Sequence, residues 1–254
     1  MKYFKAISAC ALFGLSVSVY AACPATPAAW DGINESNGGT LAVTEVGAAG
    51  TECKLTVTQG PSNSGKATVR DDMASAESSY RARFYIDASD TLANITAGNE
   101  RVKIFTAANF DTVVPTSIDV NGRPALMQMF LVGLDGGGAR LGGFCRDLNS
   151  AGNRARFGNG TNPGSVPLQT GWNVVEIEVK VGAGTGACRI WVNNDTESSP
   201  NWEQENVDNN LMTGVKRANI GNIGATVPYA TALGTQEMHF DEFESRRQTF
   251  IGSN

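Results

Sequence analysis

The stretch that decides the fold is residues 172–181, which read WNVVEIEVKV. From Val175 onward, apolar residues alternate with Glu176, Glu178 and Lys180. A period of two places successive side chains on opposite faces of a β-strand. We therefore predict a strand with one buried face and one solvated face.

A second alternating segment, residues 188–193, follows a glycine-rich turn at 182–186, and the two segments form a predicted hairpin. Similar short alternating segments, separated by Gly and Asn, recur along most of the chain, which has little helical periodicity. Many short strands at regular spacing indicate two stacked antiparallel sheets. We find no internal repeat and no low-complexity linker, so we predict an all-β sandwich in one domain.

Three parts of the sequence resemble a known family. The hairpin at 172–179 and 188–193 resembles the penultimate hairpin of the concanavalin A-like lectin/glucanase jelly rolls, including the laminin-G-like modules. Residues 239–244 resemble the closing strand of those proteins, and 80–87 an early core strand. The resemblance spans roughly 67–250. It implies a two-sheet antiparallel jelly-roll sandwich and a protein that binds or cleaves carbohydrate.

The N-terminal residues have the pattern of a secretory signal peptide. Lys2 and Lys5 precede an apolar stretch at 6–20, which ends in small residues. We therefore predict a signal peptide at 1–21 and a jelly-roll domain at 22–254 that begins with an extended arm, 22–40. The predicted location is secreted or periplasmic. No later apolar run reaches the roughly 18 residues of a membrane-spanning helix.

Four cysteines follow the predicted signal peptide: Cys23, Cys53, Cys145 and Cys188. An even number in an exported chain indicates two disulfides, and four cysteines allow three pairings. We favour Cys23–Cys53, which would tie the N-terminal arm to an early strand. We also favour Cys145–Cys188, which we expect to join two neighbouring strands.

Charge and polar clusters restrict the partners and cofactors. The formal net charge of −5 argues against nucleic acid, whose binding depends on clustered Lys and Arg. This charge is compatible with neutral or cationic partners. We predict no cofactor, although the clusters at 193–195 and 208–210 leave calcium open as an alternative. Asn and Asp favour turns, which explains both clusters equally well.

Glu176 and Glu178 are the candidate catalytic residues. They lie two apart on one strand, so both carboxylates should project from the same face, about 7 Å apart at the backbone. Paired carboxylates suit glycoside hydrolysis. The resemblance implies a third acid on this strand, but Lys180 stands at the position where it would be expected. The competing interpretation is a solvated strand face with alternating charge.

The candidate ligand-binding residues are Trp202, Trp191, Tyr85 and Arg83. Flat aromatic rings can stack on the apolar face of a pyranose. Trp202 has only polar residues beside it, so we expect it to be exposed. Arg83 and Tyr85 share the outward face of their predicted strand, where they could line a groove with the two glutamates. His239, the single histidine, is predicted to be structural.

We therefore predict an exported, non-catalytic binding module for a carbohydrate or a cell-envelope glycan. One alternative is a polysaccharide-cleaving enzyme of the same fold, either a glycoside hydrolase or a lyase. The other is a structural surface protein, which predicts a flat sheet face without a groove.

Overall fold

A computed structural model describes Cys23, Pro27, and residues 30–119, 122, 124–135, 137–158, 166–246 and 249–252. The predicted signal peptide lies outside the described residues. The later part of the predicted arm contains a short strand, Gly32–Ser36, that pairs along the edge of a sheet.

The described chain forms fifteen β-strands and two short α-helices. The strands, in chain order, are β1 (Gly32–Ser36), β2 (Thr40–Glu45), β3 (Cys53–Thr58), β4 (Lys66–Glu77), β5 (Ser79–Asp87), β6 (Arg101–Ala108), β7 (Ala125–Gly133), β8 (Ala139–Arg146), β9 (Arg154–Phe157), β10 (Val166–Pro167), β11 (Trp172–Lys180), β12 (Ala183–Val192), β13 (Trp202–Asp208), β14 (Val215–Ala225) and β15 (Glu237–Arg246). The helices are α1 (Ser89–Asn94) and α2 (Val227–Leu233), and single 3-10 turns lie at Ala48–Gly50 and Ala151–Asn153. No helix of the described chain combines the length and the hydrophobicity needed to cross a bilayer.

The strands form two antiparallel sheets, which we call sheet A and sheet B. Sheet A has eight strands in the order β1-β4-β14-β6-β7-β8, with β9 and β10 both pairing with β8. Sheet B has seven strands in the order β13-β12-β11-β5-β15-β3-β2. The predicted hairpin is confirmed, because β11 pairs with β12 and its apolar residues face inward. The all-β sandwich predicted from the alternating pattern is therefore confirmed.

The core lies between the two sheets. In β5 the small and apolar side chains point inward, as the alternation predicts, and Phe84 is fully buried. Its ring stacks on Phe105 of sheet A, with 5.8 Å between ring centroids, and lies 6.1 Å from the ring of Phe240. Burying a phenylalanine stabilises a fold by roughly 1.5–3 kcal/mol. The sheets are therefore held together by apolar side chains from both layers.

Both predicted disulfides form: Cys23 bonds to Cys53, and Cys145 bonds to Cys188. The expectation that the second bond joins neighbouring strands is wrong. Cys145 lies on β8 of sheet A and Cys188 on β12 of sheet B. Both side chains point into the core, where their Cα atoms are 6.2 Å apart. This disulfide therefore links the two layers of the sandwich.

Strand β7 has one face more open than its sequence predicts. Apolar residues stand at nearly every position of 125–134, a pattern that predicts a central strand covered on both faces. The strand is central in sheet A, but Gln128 and Phe130 point away from the core and line an open groove. The aromatic ring of Phe130 is therefore a surface feature of the groove.

Candidate functional site

Four of the residues predicted to form the site lie together on the outer face of sheet B. Arg83 and Tyr85 come from β5, and Glu176 and Glu178 from the adjacent β11. All four are nevertheless buried; Arg83 is 1% exposed and Glu176 is 2% exposed. The interpretation of Glu176 and Glu178 as a solvated strand face is therefore wrong.

The described part of the C-terminal segment, residues 249–252, covers this face. The backbone N–H groups of Ile251 and Gly252 donate hydrogen bonds to the Glu176 carboxylate at 3.0 and 2.9 Å. The Arg83 guanidinium donates to the Gly252 carbonyl at 2.8 Å. The space in front of Glu176 is thus occupied by the protein's own backbone.

Arg81 connects the two glutamates beneath this segment. Its guanidinium lies 3.4 Å from the Glu176 carboxylate and 3.1 Å from that of Glu178. It also pairs with Glu197 at 2.7 Å, and Arg189 pairs with Glu178 from the other side. The two carboxylates therefore belong to an ion-pair network, and their catalytic role stays a prediction.

The two candidate tryptophans are also buried. Trp191 packs edge-on against Phe250, with 5.3 Å between ring centroids, and its indole N–H donates to the Glu197 carbonyl at 3.2 Å. The expectation that Trp202 is exposed is wrong. Trp202 is the first residue of β13, is 9% exposed and packs on Phe157 with 4.6 Å between ring centroids. Strand alternation turns its ring inward, although its sequence neighbours are polar. Ligand contacts by these tryptophans stay a prediction.

His239 lies on β15 of sheet B, where its Nδ1 is 3.1 Å from the Thr56 hydroxyl. Burial lowers the pKa of His239 from its ordinary value of 6.5, and the positive charge of Lys54 adds to this effect. The residue is therefore a packed, hydrogen-bonded side chain, in agreement with the structural role predicted for it.

The calcium alternative concerned residues 193–195 and 208–210. The side-chain oxygen of Asn193 accepts a hydrogen bond from Val174 N, and that of Asn209 accepts one from Gly182 N. Both amides therefore organise turns, as Asn commonly does. The described residues contain no group of three or more His, Cys, Asp and Glu side chains placed to hold a metal ion.

An open groove of about 700 Å³ lies on the outer face of sheet A, which the sequence had not indicated as a site. Strands β1, β4, β14, β6 and β7 form its floor, and strand alternation turns one side chain in two toward it. Its charged lining side chains are all cationic: Lys66, Arg70, Arg101, Lys103 and Arg217.

Three polar side chains lie side by side across the floor of the groove. Asn219 of β14 is in register with Thr106 of β6, which is in register with Gln128 of β7. We call these three residues the central polar row. Thr106 is 5% exposed and Gln128 is 4% exposed. Among the described residues, the Thr106 hydroxyl has no hydrogen-bond partner, and none hydrogen-bonds the side-chain amide of Gln128 or Asn219.

Cationic groups flank the central polar row at both ends of the groove. Lys103 is in register with Phe130, and its ammonium lies 5.8 Å from the centre of that ring. Arg101 lies over the same ring at 5.1 Å. Toward the other end, Arg70 and Arg217 both pair with Asp72. The groove therefore combines positive charge, neutral hydrogen-bonding groups and two aromatic rings, those of Phe130 and Phe110.

Side chains in register with the central polar row extend across the next two strands of sheet A. Phe144 of β8 is in register with Gln128, and Arg156 of β9 is in register with Phe144. Neighbouring strands lie about 4.8 Å apart, so the line from Arg70 on β4 to Arg156 on β9 spans roughly 24 Å. Such a line can contact several consecutive units of a linear polymer.

The net charge of the chain conceals this distribution. The overall charge of −5 led to the expectation of neutral or cationic partners. The acids concentrate instead on and beside sheet B, where seven of them pair with Arg81, Arg83 or Arg189: Glu176, Glu178, Glu197, Glu203, Glu205, Glu242 and Glu244. Net charge is a sum over the whole chain, whereas a ligand in the groove meets the five cationic side chains that line it.

The groove offers few groups for acid–base chemistry. Among the described residues that line it, the ionisable side chains are lysines and arginines, without histidine, tyrosine or carboxylate. Tyr85 lies on sheet B, and Tyr80 and Tyr229 are buried. Lys103 and Lys66 are thus the available candidates for a base.

No protein-family model matches the chain, and no curated protein matches it at a significant level. Solved structures do match. An endo-β-1,4-glucuronan lyase from the fungus Trichoderma reesei superposes with a TM-score of 0.58 at 13% identity, covering 86% of this chain and 91% of the lyase. The fold is a concanavalin A-like jelly roll. The cellulose-induced protein Cip1 superposes with a TM-score of 0.56 at 17% identity, and the match covers 89% of this chain and 94% of Cip1. Alginate lyase Aly36B superposes with a TM-score of 0.56 at 14% identity, and the match covers 76% of this chain and 80% of the lyase. At these identities, the jelly roll is what the proteins share.

Proposed function

We propose that this protein is an exported module that binds an acidic polysaccharide in the groove of sheet A. The central polar row carries the proposal. It places hydrogen-bonding groups that have no partner among the described residues beside five cationic side chains. Buried polar groups are usually hydrogen-bonded, so the unpartnered Thr106 hydroxyl between the two amides supports a polar ligand in the groove.

The chemistry of the row suits a carboxylate on a sugar. A carboxylate accepts hydrogen bonds from the amides of Gln128 and Asn219 and from the Thr106 hydroxyl, while Lys103 supplies positive charge. Hydrogen bonds to a charged group contribute about 1.5–3 kcal/mol each. Phe130 provides a flat apolar surface of the kind that stacks on a pyranose ring. Uronic acids combine both features in one sugar unit.

The names of the structural neighbours support the same class of ligand. Two of them are lyases of glucuronan and alginate, which are polymers of uronic acids. A third structure, a variant of Aly36B, contains an alginate tetrasaccharide. The groove also argues against a purely structural role, because that role predicts a flat sheet face. Two disulfides and the predicted signal peptide fit an exported location.

Cleavage is the second candidate function, and the position of Lys103 in the groove favours it. In an elimination, a base removes the proton next to the carboxylate, a C–C double bond forms and the glycosidic oxygen leaves with a proton. A neutral lysine can accept the first proton. The described lining residues offer no tyrosine or histidine to protonate the leaving oxygen, so binding is the better-supported function.

Titration calorimetry with soluble oligosaccharides tests the proposal. Alginate and glucuronan oligosaccharides should bind, and cello-oligosaccharides should bind at least about tenfold more weakly. Lys103→Gln should reduce the affinity for the acidic ligands. Lys180→Gln is the matched control, because it removes the same charge from an exposed position on sheet B.

Equal affinity for acidic and neutral oligosaccharides would contradict the proposal, as would equal effects of the two lysine variants. Formation of unsaturated uronate ends during the titration, lost in Lys103→Gln, would identify cleavage in place of simple binding.

A further inference from the structure

We propose that the outer face of sheet B is a peptide-binding surface, which residues 249–252 fill in this chain. The surface consists of Glu176, Arg83, Arg81 and Trp191. It lies on the opposite side of the sandwich from the groove, so this proposal does not depend on the glycan ligand.

The surface binds peptide backbone. Glu176 accepts hydrogen bonds from two successive N–H groups, those of Ile251 and Gly252. Arg83 donates to the carbonyl of Gly252 at 2.8 Å. An acceptor for N–H groups and a donor for a carbonyl thus lie side by side. These contacts involve no side chain of the bound segment, so they recognise its backbone conformation.

An aromatic contact gives the surface a preference for one type of side chain in the bound peptide. The Phe250 ring packs edge-on against Trp191, and the Arg81 guanidinium lies 5.6 Å from the centre of the Phe250 ring. Arg81 also lies 5.2 Å from the centre of the Trp191 ring, so the two rings share one cation. Both cation–π and edge-to-face contacts are attractive, so the surface favours an aromatic residue at this position.

A glycine two residues after the aromatic residue completes the pattern. Gly252 has a φ of +72°, in the left-handed region that favours glycine. A Cβ at this position would make only ordinary contacts, so the backbone conformation sets the preference. The partner that fits is therefore a linear peptide with the pattern aromatic–X–Gly.

The bound segment is not a strand of the sheet beneath it. Strand β15 ends at Arg246, and residues 249–252 belong to no strand of either sheet. Its release would break a few hydrogen bonds, the aromatic contact with Trp191 and the cation–π contact with Arg81, while the strand ladders stay intact. Arg83 is almost fully buried, and its Nε has no hydrogen-bond partner, so the surface has donor capacity that this segment leaves unused. A segment outside the strand ladders can open locally without unfolding of the whole domain.

Fluorescence anisotropy with a labelled peptide of residues 246–254 tests this proposal. The receptor is the full chain carrying Phe250→Ala, which weakens its own segment. This variant should bind the peptide with at least about tenfold higher apparent affinity than the wild-type chain, whose attached segment competes at an effective concentration near millimolar. A peptide carrying the Phe250→Ala change should lose this binding.

A second receptor, Gly252→Val, keeps Phe250 and disturbs only the backbone conformation, so it serves if Phe250→Ala does not fold. Circular dichroism and thermal melting verify folding. The proposal is overturned if folded variants bind the peptide no better than the wild-type chain, or if the Ala-substituted peptide binds equally well. Glycan affinity measured on the same samples reports separately on the groove.

Discussion

Thr106 and Gln128 lie directly opposite each other in the ladder between β6 and β7, and both turn polar atoms toward an open groove. Leaving a buried polar group without a partner costs about 1–3 kcal/mol. Proteins tend to accept such local costs at functional sites. The arrangement therefore favours a ligand that supplies the missing hydrogen bonds.

Replacing Thr106 by Val should separate stability from binding. Valine has nearly the same shape and removes a hydroxyl that has no partner, so the free energy of unfolding should stay unchanged or rise by up to about 1 kcal/mol. Affinity for an acidic oligosaccharide should fall. Denaturant unfolding and calorimetry on the same protein measure the two effects. A loss of stability would show that the hydroxyl has a structural partner.

Gln128→Met should lower the affinity for a uronate oligosaccharide about fivefold to thirtyfold, because it removes the amide and keeps the side-chain length. If Gln128 and Thr106 bind the same carboxylate, their effects should not add in the double variant. A double-mutant cycle by calorimetry measures this coupling. Strict additivity would mean that the two residues contact different groups.

Removing the disulfide between the sheets should destabilise the sandwich. Cys145 and Cys188 are 43 residues apart, and loop-closure entropy for that length corresponds to about 4 kcal/mol. The double variant Cys145→Ala/Cys188→Ala should therefore unfold at clearly lower denaturant concentration. The disulfide Cys23–Cys53 joins residues 30 apart, so the same entropy argument predicts that its removal lowers the free energy of unfolding by slightly less. The opposite order would contradict this account.

His239 should make stability depend on pH. Its folded pKa is lowered by burial, so the unfolded chain takes up a proton first as pH falls below about 6.5. The free energy of unfolding should therefore decrease as pH falls through this range, and the contribution of His239 levels off below the folded pKa. His239→Gln should flatten this part of the profile. An unchanged slope in the variant would assign the pH dependence to other groups.

The fold could be predicted because its determinants are local. The alternation from Val175 to Val181 and the glycine turn after it are sufficient to specify a hairpin with one inward face. The cysteine pairing also followed, although the position of the second bond did not. Which strands face each other across the core depends on the path of the whole chain.

The site could not be predicted in the same way, because exposure is not a local property. Glu176 and Arg83 have the pattern of a solvated face, but the segment at 249–252, which is distant in sequence, lies against both of them. Conversely, Phe130 makes β7 resemble a fully covered strand, although it lines the groove. The one available signal was Gln128, a single polar residue in an otherwise apolar strand.

The central claim is that the groove of sheet A recognises carboxylates. Its most direct test is calorimetric titration of one uronate oligosaccharide and of its carboxyl-reduced counterpart, which has the same linkages and no charge. We predict that the acidic form binds at least about tenfold more tightly and that Lys103→Gln removes most of this difference. Equal binding of the two forms, or a difference that persists in Lys103→Gln and in Gln128→Met, would contradict the account.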